Sequence, residues 1–507
     1  MSMQSLAPSV DGTASRAQRI PRPFASVFSS ASARTLALTL AIAAALSACG
    51  QKPAEPAKPE VAVTPPTPAP TVCQANSSWI TAPNPPSEVA ATESFCDFYQ
   101  FSWQWFLAEV SPSPTSQGER VFETNRLHDP TVPSGQCSLP EMIGRAAAAK
   151  MLAMRADKPQ DFEDTQADGN ALYDQNGNIL HYNIWYSRAE CQATQAGFAE
   201  GTFEIKVSWM ILPKPDPSYY TMQATLPGGN APVTLGMVGF HIANWTSKHP
   251  EMIWATFEHK NNAPLCDGST PTPANGWAFA ASDAATCLTQ NPSQPGAPPN
   301  TACAAFNFNT PDPFQGTPPA TNTANNICRM YANGNQPGAS INGNDNAANL
   351  LAIQQLNDQL VGPQGMLTAL PDTDPMAIWK NYTLIGAIWT KGGADSGNPP
   401  IPYTVHAQGG DKIVPGDATS LQRGSLELTN MSMETFQQGD TSWAPNCFGC
   451  HTYAKADPLD VSHICNSLFG SDANGDCVVQ QTGALPVGDA KAGDAKAAAP
   501  AAAPEKK

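Results

Sequence analysis

FEIKVSWMIL, residues 203–212, is the stretch whose reading decides the fold class. Phe203, Ile205, Val207, Trp209 and Ile211 alternate with Glu204, Lys206 and Ser208, the period of two that gives a strand one apolar and one polar face. VTLGMVGFHI and MIWATFEH read as neighbouring strands, and YTLIGAIWT (382–390) and GSLELTN (424–430) as further ones. YDQNGNILHYNIWY (173–186) carries Asn176 and Gly177 between two strand-like runs, which predicts a hairpin turn. Helices are expected at three places. In FCDFYQFSWQWFLAEV (95–110), Phe95, Phe98, Tyr99, Ser102, Trp103 and Phe106 share one side of a 3.6-residue period; EMIGRAAAAKMLAMRAD (141–157) and NAANLLAIQQLNDQL (346–360) are the others. No alternation of strand and helix suggests a Rossmann core, so the expected class is α+β with an antiparallel sheet core and several helices.

Composition bounds the rest. Of 507 residues only 14% are charged, while Pro (49) and Gly (37) are plentiful, a loop-rich balance that suits an exported globular protein. Acidic residues outnumber basic ones 43 to 27, so the field repels phosphate backbones and argues against nucleic acid as a partner. The Pro-, Gly- and Asn-rich stretch from about 264 to 345 holds four cysteines and reads as a long disulfide-stapled insertion.

Export is written in the first residues. Arg16, Arg19, Arg22 and Arg34 precede TLALTLAIAAAL (35–46), an apolar run too short to span a bilayer comfortably, as in a signal peptide. The run ends in LSACG (46–50), which resembles the lipobox of bacterial lipoproteins and implies lipidation of Cys49; the alternative is an ordinary signal peptide with an incidental cysteine. Gly50 in place of Asp favours the outer membrane. The expected organisation is a signal peptide over 1–48, a lipidated Cys49 with a Pro-rich tether to 72, and a body over 73–430. A segment over 431–483 containing C-x-x-C-H at 447–451, the pattern of haem c attachment, and an Ala, Lys and Pro tail over 484–507 follow. Thirteen cysteines less Cys49 leave an even number for an oxidising compartment; their pairing is not readable, although Cys465 and Cys477 are close enough to close one local loop.

NCFGCHTY (446–453) is the run richest in chemistry. Cys447, Phe448, Gly449, Cys450 and His451 match C-x-x-C-H, in which two thiols add across the haem vinyl groups and the following imidazole becomes an iron ligand. A disulfide with a bystander histidine is the plainer use of the same residues. For the sixth iron position, His463 needs the least long-range assembly, with His259 next and His241, Met431 and Met433 as others. GFHIANWTSKHPEMIWATFEHKNNAP (239–264) gathers His241, His249, Glu258 and His259 around Trp245 and Trp254. His241, Glu258 and His259 are therefore candidates for proton transfer in a haem pocket, against the plainer reading of satisfied residues on a half-buried sheet edge. DQNGN (174–178) and DANGD (472–476) lack a downstream acidic ligand for calcium and read as turns.

SWQWFL (102–107), HPEMIWATFEH (249–259) and NMSMETFQQG (430–439) running into CFGCH resemble segments of a family of exported bacterial mono-haem c-type cytochrome proteins, mostly of unassigned activity. The likeness extends over about 95–465 and departs after WQWFL, where AEVSPSP continues the chain. It implies one covalent haem c at Cys447, Cys450 and His451 and supplies no substrate. Two functions follow as expectations. The first is a lipid-anchored carrier passing electrons to a periplasmic redox partner, at the outer membrane and facing the periplasm or the cell surface. The second is a haem c oxygenase or peroxidase with a small-molecule substrate pocket in the large domain.

Overall fold

A computed structural model describes residues 72–124, 171–194, 196–226, 231–282, 326–335, 344–391, 422–435, 438, 446–449, 451, 459, 461, 462 and 464, all within one unit, Pro70–Lys507. Its centre is a seven-stranded antiparallel sheet: β1 (His181–Tyr186), β2 (Phe203–Ile211), β3 (Thr221–Ala224), β4 (Val233–Asn244), β5 (Ile253–His259), β6 (Tyr382–Thr390) and β7 (Gln422–Gly424). The order is β1-β2-β4-β5-β6-β7. β2 runs along one edge of β4, and β3 and β5 share the other edge, because β2 and β3 both pair with Leu235 and Gly236. One extra residue, Val238 in β4 and Ile385 in β6, interrupts the register at two bulges.

Among the described residues five α-helices accompany the sheet: α1 (Ser78–Thr81), α2 (Phe95–Glu109), α3 (Val121–Thr124), α4 (Arg188–Cys191) and α5 (Asn346–Val361). α2 starts where Ser94 and Asp97 form a capping box, and the Cys73–Cys96 disulfide ties its first turn to the preceding chain. α5 starts at Asp345, whose carboxylate accepts from the amides of Ala347 and Ala348. Tyr99 on α2 donates to Asn349 on α5, so the two helices lie together on one face of the sheet. Beneath them Phe106 stacks on Phe257 at 4.0 Å, and Trp103 meets the same ring edge-on at 4.9 Å. α2 is more deeply enclosed than the one-sided pattern predicts: Phe101 and Leu107 are buried along with Phe98, Tyr99, Trp103 and Phe106.

The opposite face overturns the simplest reading of strand alternation. Glu204, Lys206 and Ser208 are all buried, at 3%, 5% and 0% exposure. Cross-strand register places them beside Ala243, His241 and Gly239 on β4, then Trp254, Thr256 and Glu258 on β5. Described residues of the C-terminal part of the chain cover this face: Ser432 Oγ lies 2.6 Å from Ser208 Oγ, and Asn430 donates to Thr256 Oγ1 at 2.8 Å. Glycines make the approach possible. A Cβ on Gly239 would overlap Ser432 Oγ, and one on Gly386 would overlap Ser425 Oγ.

Two sequence expectations change in detail. The strand expected over 424–430 is confined to Gln422–Gly424, because Gly424 turns at φ +89° against Trp389 and the following residues fold over the sheet. The 173–186 hairpin is reduced on its first side to a bridge between Tyr173 and Ile179; the Asp174 carboxylate accepts from the amides of Asn176 and Asn178, which makes DQNGN a turn. The insertion is stapled by Cys266–Cys328 across 62 residues. The 141–157 helix, Cys49, Cys450, His463, Cys465, Cys477 and DANGD lie outside the described residues.

Candidate functional site

Asn446, nearly fully buried, sets the entry to the C-x-x-C-H run. Its Nδ2 donates to the Leu426 carbonyl at 2.8 Å and to Gln422 Oε1 at 3.0 Å, while its Oδ1 accepts from the Phe448 amide at 3.0 Å. Cys447–Gly449 then form a 3-10 turn, and the His451 amide donates to the Cys447 carbonyl at 2.9 Å. That i to i+4 spacing puts Cys447 and His451 on one side of the turn. Phe448 is fully buried in an apolar cluster with Trp254, Ile388, Leu426, Val461 and Ile464, against which the partly buried Cys447 packs.

Two contacts orient the His451 ring. Its Nδ1 lies 3.0 Å from the Val461 carbonyl, which only accepts, so Nδ1 carries the hydrogen and the lone pair of the neutral ring sits on Nε2. Its face packs against Trp254, with ring centroids 4.0 Å apart and planes inclined by 32°. Trp254 is fixed in turn, its indole N–H donating to the Glu251 carbonyl at 2.9 Å. Next to Val461, the Ser462 hydroxyl meets Glu190 from α4 and, at 2.8 Å, Glu204 from β2. The segment is thereby tied to the polar side of the sheet.

The other predicted residues separate into different environments. Glu258 and His259 are consecutive on β5 and point to opposite faces. Glu258 pairs with Arg329 and accepts from the Met431 amide at 2.8 Å and from Asn262 Nδ2 at 3.1 Å. His259 stacks on Tyr219 at 3.9 Å, donates from Nε2 to the Ser218 carbonyl and accepts at Nδ1 from the Asn261 amide. Burial pushes its pKa down to about 3, so it is neutral. Both ring nitrogens are therefore committed. His241, across from Lys206, places Nε2 against Glu434. Burial would raise the Glu434 carboxyl, but His241 and the Asn430 amide outweigh it and hold it below its usual range. His249 lies on the helix side, its Nδ1 2.9 Å from Glu251, whose same oxygen accepts from the Thr390 amide and hydroxyl. Met431 and Met433 are fully buried in a different apolar cluster from Cys447.

No family model, curated protein or solved structure matches the chain. Among the described residues no group of three or more His, Cys, Asp or Glu is placed to hold a metal ion, and no helix is long and apolar enough to cross a membrane. Trp254, Val461, Ser462, Glu190 and Glu204 take part in positioning the motif, and sequence reasoning did not assign them. For Glu204 the only signal was its place on the polar side of an otherwise apolar strand. For Glu190 and Ser462 there was none.

Proposed function

We propose that Cys447, Cys450 and His451 attach one haem c, and that the protein is a lipid-anchored electron carrier exported through Cys49 to the outer membrane. The observation that carries this reading is the His451 imidazole, whose Nδ1 hydrogen is held by the Val461 carbonyl, which assigns the lone pair of the neutral ring to Nε2. Orientation of a ligating histidine through its second nitrogen is the usual way a protein prepares such a ligand. The residues fit the group: Cys447 and His451 lie on one side of a single turn, and Cys447 is partly buried among apolar side chains. Cys447 and Cys450 would hold the haem through thioethers and His451 through Nε2. The haem would supply one-electron transfer.

An electron carrier is favoured over an oxygenase or peroxidase by the state of the acid-base candidates. Glu258 is taken by Arg329, Asn262 and the Met431 amide, and His259 by Ser218 and Asn261. Neither is available to move protons for a substrate. His463 on the chain beyond Ser462 is the proposed sixth ligand, and a periplasmic redox protein the proposed partner. The test is the denatured mass and the reduced spectrum of full-length protein made in cells competent for cytochrome maturation. A haem-sized increment that disappears in Cys447→Ser and Cys450→Ser, with no carbon monoxide adduct in the wild type, is expected. A mass without haem, with Cys447 and Cys450 joined as a disulfide, would refute haem attachment. Retained haem with ready carbon monoxide binding would move the reading to the enzyme.

A further inference from the structure

We infer that Arg329, set in place by the Cys266–Cys328 disulfide, is the positioning residue that holds the chain leading into C-x-x-C-H against the polar face of the sheet; this rests on the haem reading only for what the held chain carries. Three consecutive residues of the insertion grip that chain. Arg329 Nη1 donates to the Thr429 carbonyl at 3.1 Å, and Nη2 donates to Glu258 Oε1, the same oxygen that accepts from the Met431 amide at 2.8 Å. On either side of it, the Cys328 carbonyl accepts from Gln438 Nε2 at 3.1 Å and the Met330 amide donates to Gln438 Oε1 at 2.9 Å. Thr429, Met431 and Gln438 are thus all tied to the insertion or to its partner Glu258. The next described residue is Asn446, which sets the entry to the motif.

Arg329 owes its place to the disulfide rather than to an element of its own. It is 6% exposed and belongs to none of the named helices or strands. A single rung of parallel pairing with Leu265 supports its backbone: the Arg329 amide donates to the Pro264 carbonyl at 2.8 Å, and its carbonyl accepts from the Cys266 amide at 2.9 Å. Such short pairing is marginal alone. The bond between Cys266, which follows Leu265, and Cys328, which precedes Arg329, closes the rung covalently across 62 residues, and both cysteines are buried. Closing a loop of that length restrains the chain strongly. The restraint is passed on through the guanidinium, whose planar fork neutralises Glu258 and still satisfies the Thr429 carbonyl. A lysine would supply the charge without that fixed fork.

The consequence is local. Glu258 lies on β5 and accepts from Met431, so Arg329 fixes the carboxylate that fixes the covering chain. Without the disulfide the guanidinium loses its footing, and residues 429–431 lose the partners that register them on the sheet. The helix-covered face, held by α2 and α5, shares none of these bonds.

The test is amide hydrogen exchange on full-length protein in four chains: the wild type, Cys266→Ser with Cys328→Ser, Arg329→Gln, and all three substitutions together. Loss of the disulfide is expected to quicken exchange at Met431 by about tenfold or more while α2 and α5 keep wild-type protection. Arg329→Gln is expected to do the same, and the triple variant to exceed either by no more than about twofold, because the substitutions remove one shared restraint. Arg329→Lys, which keeps the charge, is expected to fall between Arg329→Gln and the wild type. Unchanged exchange at Met431 without the disulfide, equal quickening of α2, or effects that multiply in the triple variant would each overturn the inference. Should either the serine pair or Arg329→Gln fail to fold, Arg329→Lys in the disulfide-bonded chain decides alone, and wild-type exchange at Met431 there would overturn the inference. Haem is read separately from the denatured mass of the same samples: a chain without it sinks the functional reading and leaves the exchange comparison standing.

Discussion

The helix-covered face of the sheet is held by ring packing, whereas the face beneath the C-terminal residues is held by hydrogen bonds between particular partners. On the first, Phe98, Trp103, Phe106, Phe240, Phe257, Trp379 and Trp389 form one apolar cluster with α2 and α5. On the second, two apolar clusters lie at either end of a band where Lys206, Ser208, His241, Thr256 and Glu258 meet Asn430, Met431, Ser432 and Glu434. Apolar contact is non-directional and tolerates small shifts, while a buried carboxylate or amide left without its partner costs about 1–3 kcal/mol. The aromatic face therefore supplies stability, and the polar face supplies registration. Registration is what a C-x-x-C-H segment requires if its histidine is to meet Trp254 and Val461.

The largest expected effect tests the first half of that contrast. Phe106→Ala removes a fully buried ring stacked on Phe257 and edge-on to Phe240 and Trp379. A loss of about 3–5 kcal/mol in urea unfolding, with unchanged denaturant dependence, is expected. A loss under about 1 kcal/mol would mean that the ring cluster is not the main source of stability. Next comes Glu258→Ala, which leaves the Arg329 guanidinium buried with the Thr429 carbonyl and without its counter-charge. Roughly 3 kcal/mol should be lost, and Glu258→Met with Arg329→Met should recover most of it, because the paired apolar replacement strands no charge. If the double variant is as unstable as the single one, the pair contributes more than mutual neutralisation.

The two faces also differ in how far a sequence reveals them. β2, β5, β6 and α5 fall within a residue or so of the predicted spans because each declares itself through local periodicity. Alternation along 203–211 divides the strand correctly into two faces, yet it does not tell whether Glu204, Lys206 and Ser208 meet water or another polar stretch of chain. That depends on residues more than two hundred positions away. The grouping of Glu258 with His259 fails for a reason that was legible: on a strand, consecutive side chains point apart. The contact of Trp254 with His451 was not legible, since it joins β5 to a turn 197 residues later and leaves no local pattern.

Gly239→Ala aims at registration directly. A Cβ there overlaps Ser432 Oγ and comes within 2.6 Å of Ser208 Oγ, so the covering chain must rise off the sheet or the Ser208 to Ser432 contact must open. About 2 kcal/mol of stability should be lost, as for other overpacked interiors. The more telling outcome is local: amide exchange should quicken in 430–434 while α2 stays protected. Equal loosening of both regions would show that the two faces do not act separately.

The most gradual effect, a slope of at most about 1.4 kcal/mol per pH unit, belongs to a titrating group on the aromatic side. His259 is fully buried, and burial lowers its pKa from 6.5 to about 3. In the window between those values the unfolded chain binds a proton that the folded protein refuses. Stability from this group is therefore complete above pH 6.5, falls as the pH is lowered, and stops falling near pH 3. Glu434, on the polar face, has its pKa lowered from 4.5, since its neighbours outweigh the opposing effect of burial. A carboxyl of lowered pKa contributes above its unfolded value and loses that contribution only as the pH falls below it, so its window opens under pH 4.5. His249 runs the other way: burial would lower its pKa, but Glu251, bonded and charged, leaves it raised, so its contribution is present below pH 6.5 and is lost as the pH rises through the folded value. Between pH 6.5 and 4.5 an acid-side decline is thus specific to His259 among these three. His259→Gln, which keeps a donor for the Ser218 carbonyl and does not titrate, should flatten the pH dependence of urea unfolding in that window and leave the decline below pH 4.5 in place. Glu434→Gln should do the reverse. If His259→Gln leaves the slope between pH 6.5 and 4.5 unchanged, the acid sensitivity belongs to the polar face after all, and the assignment of one face to stability and the other to registration must be redrawn.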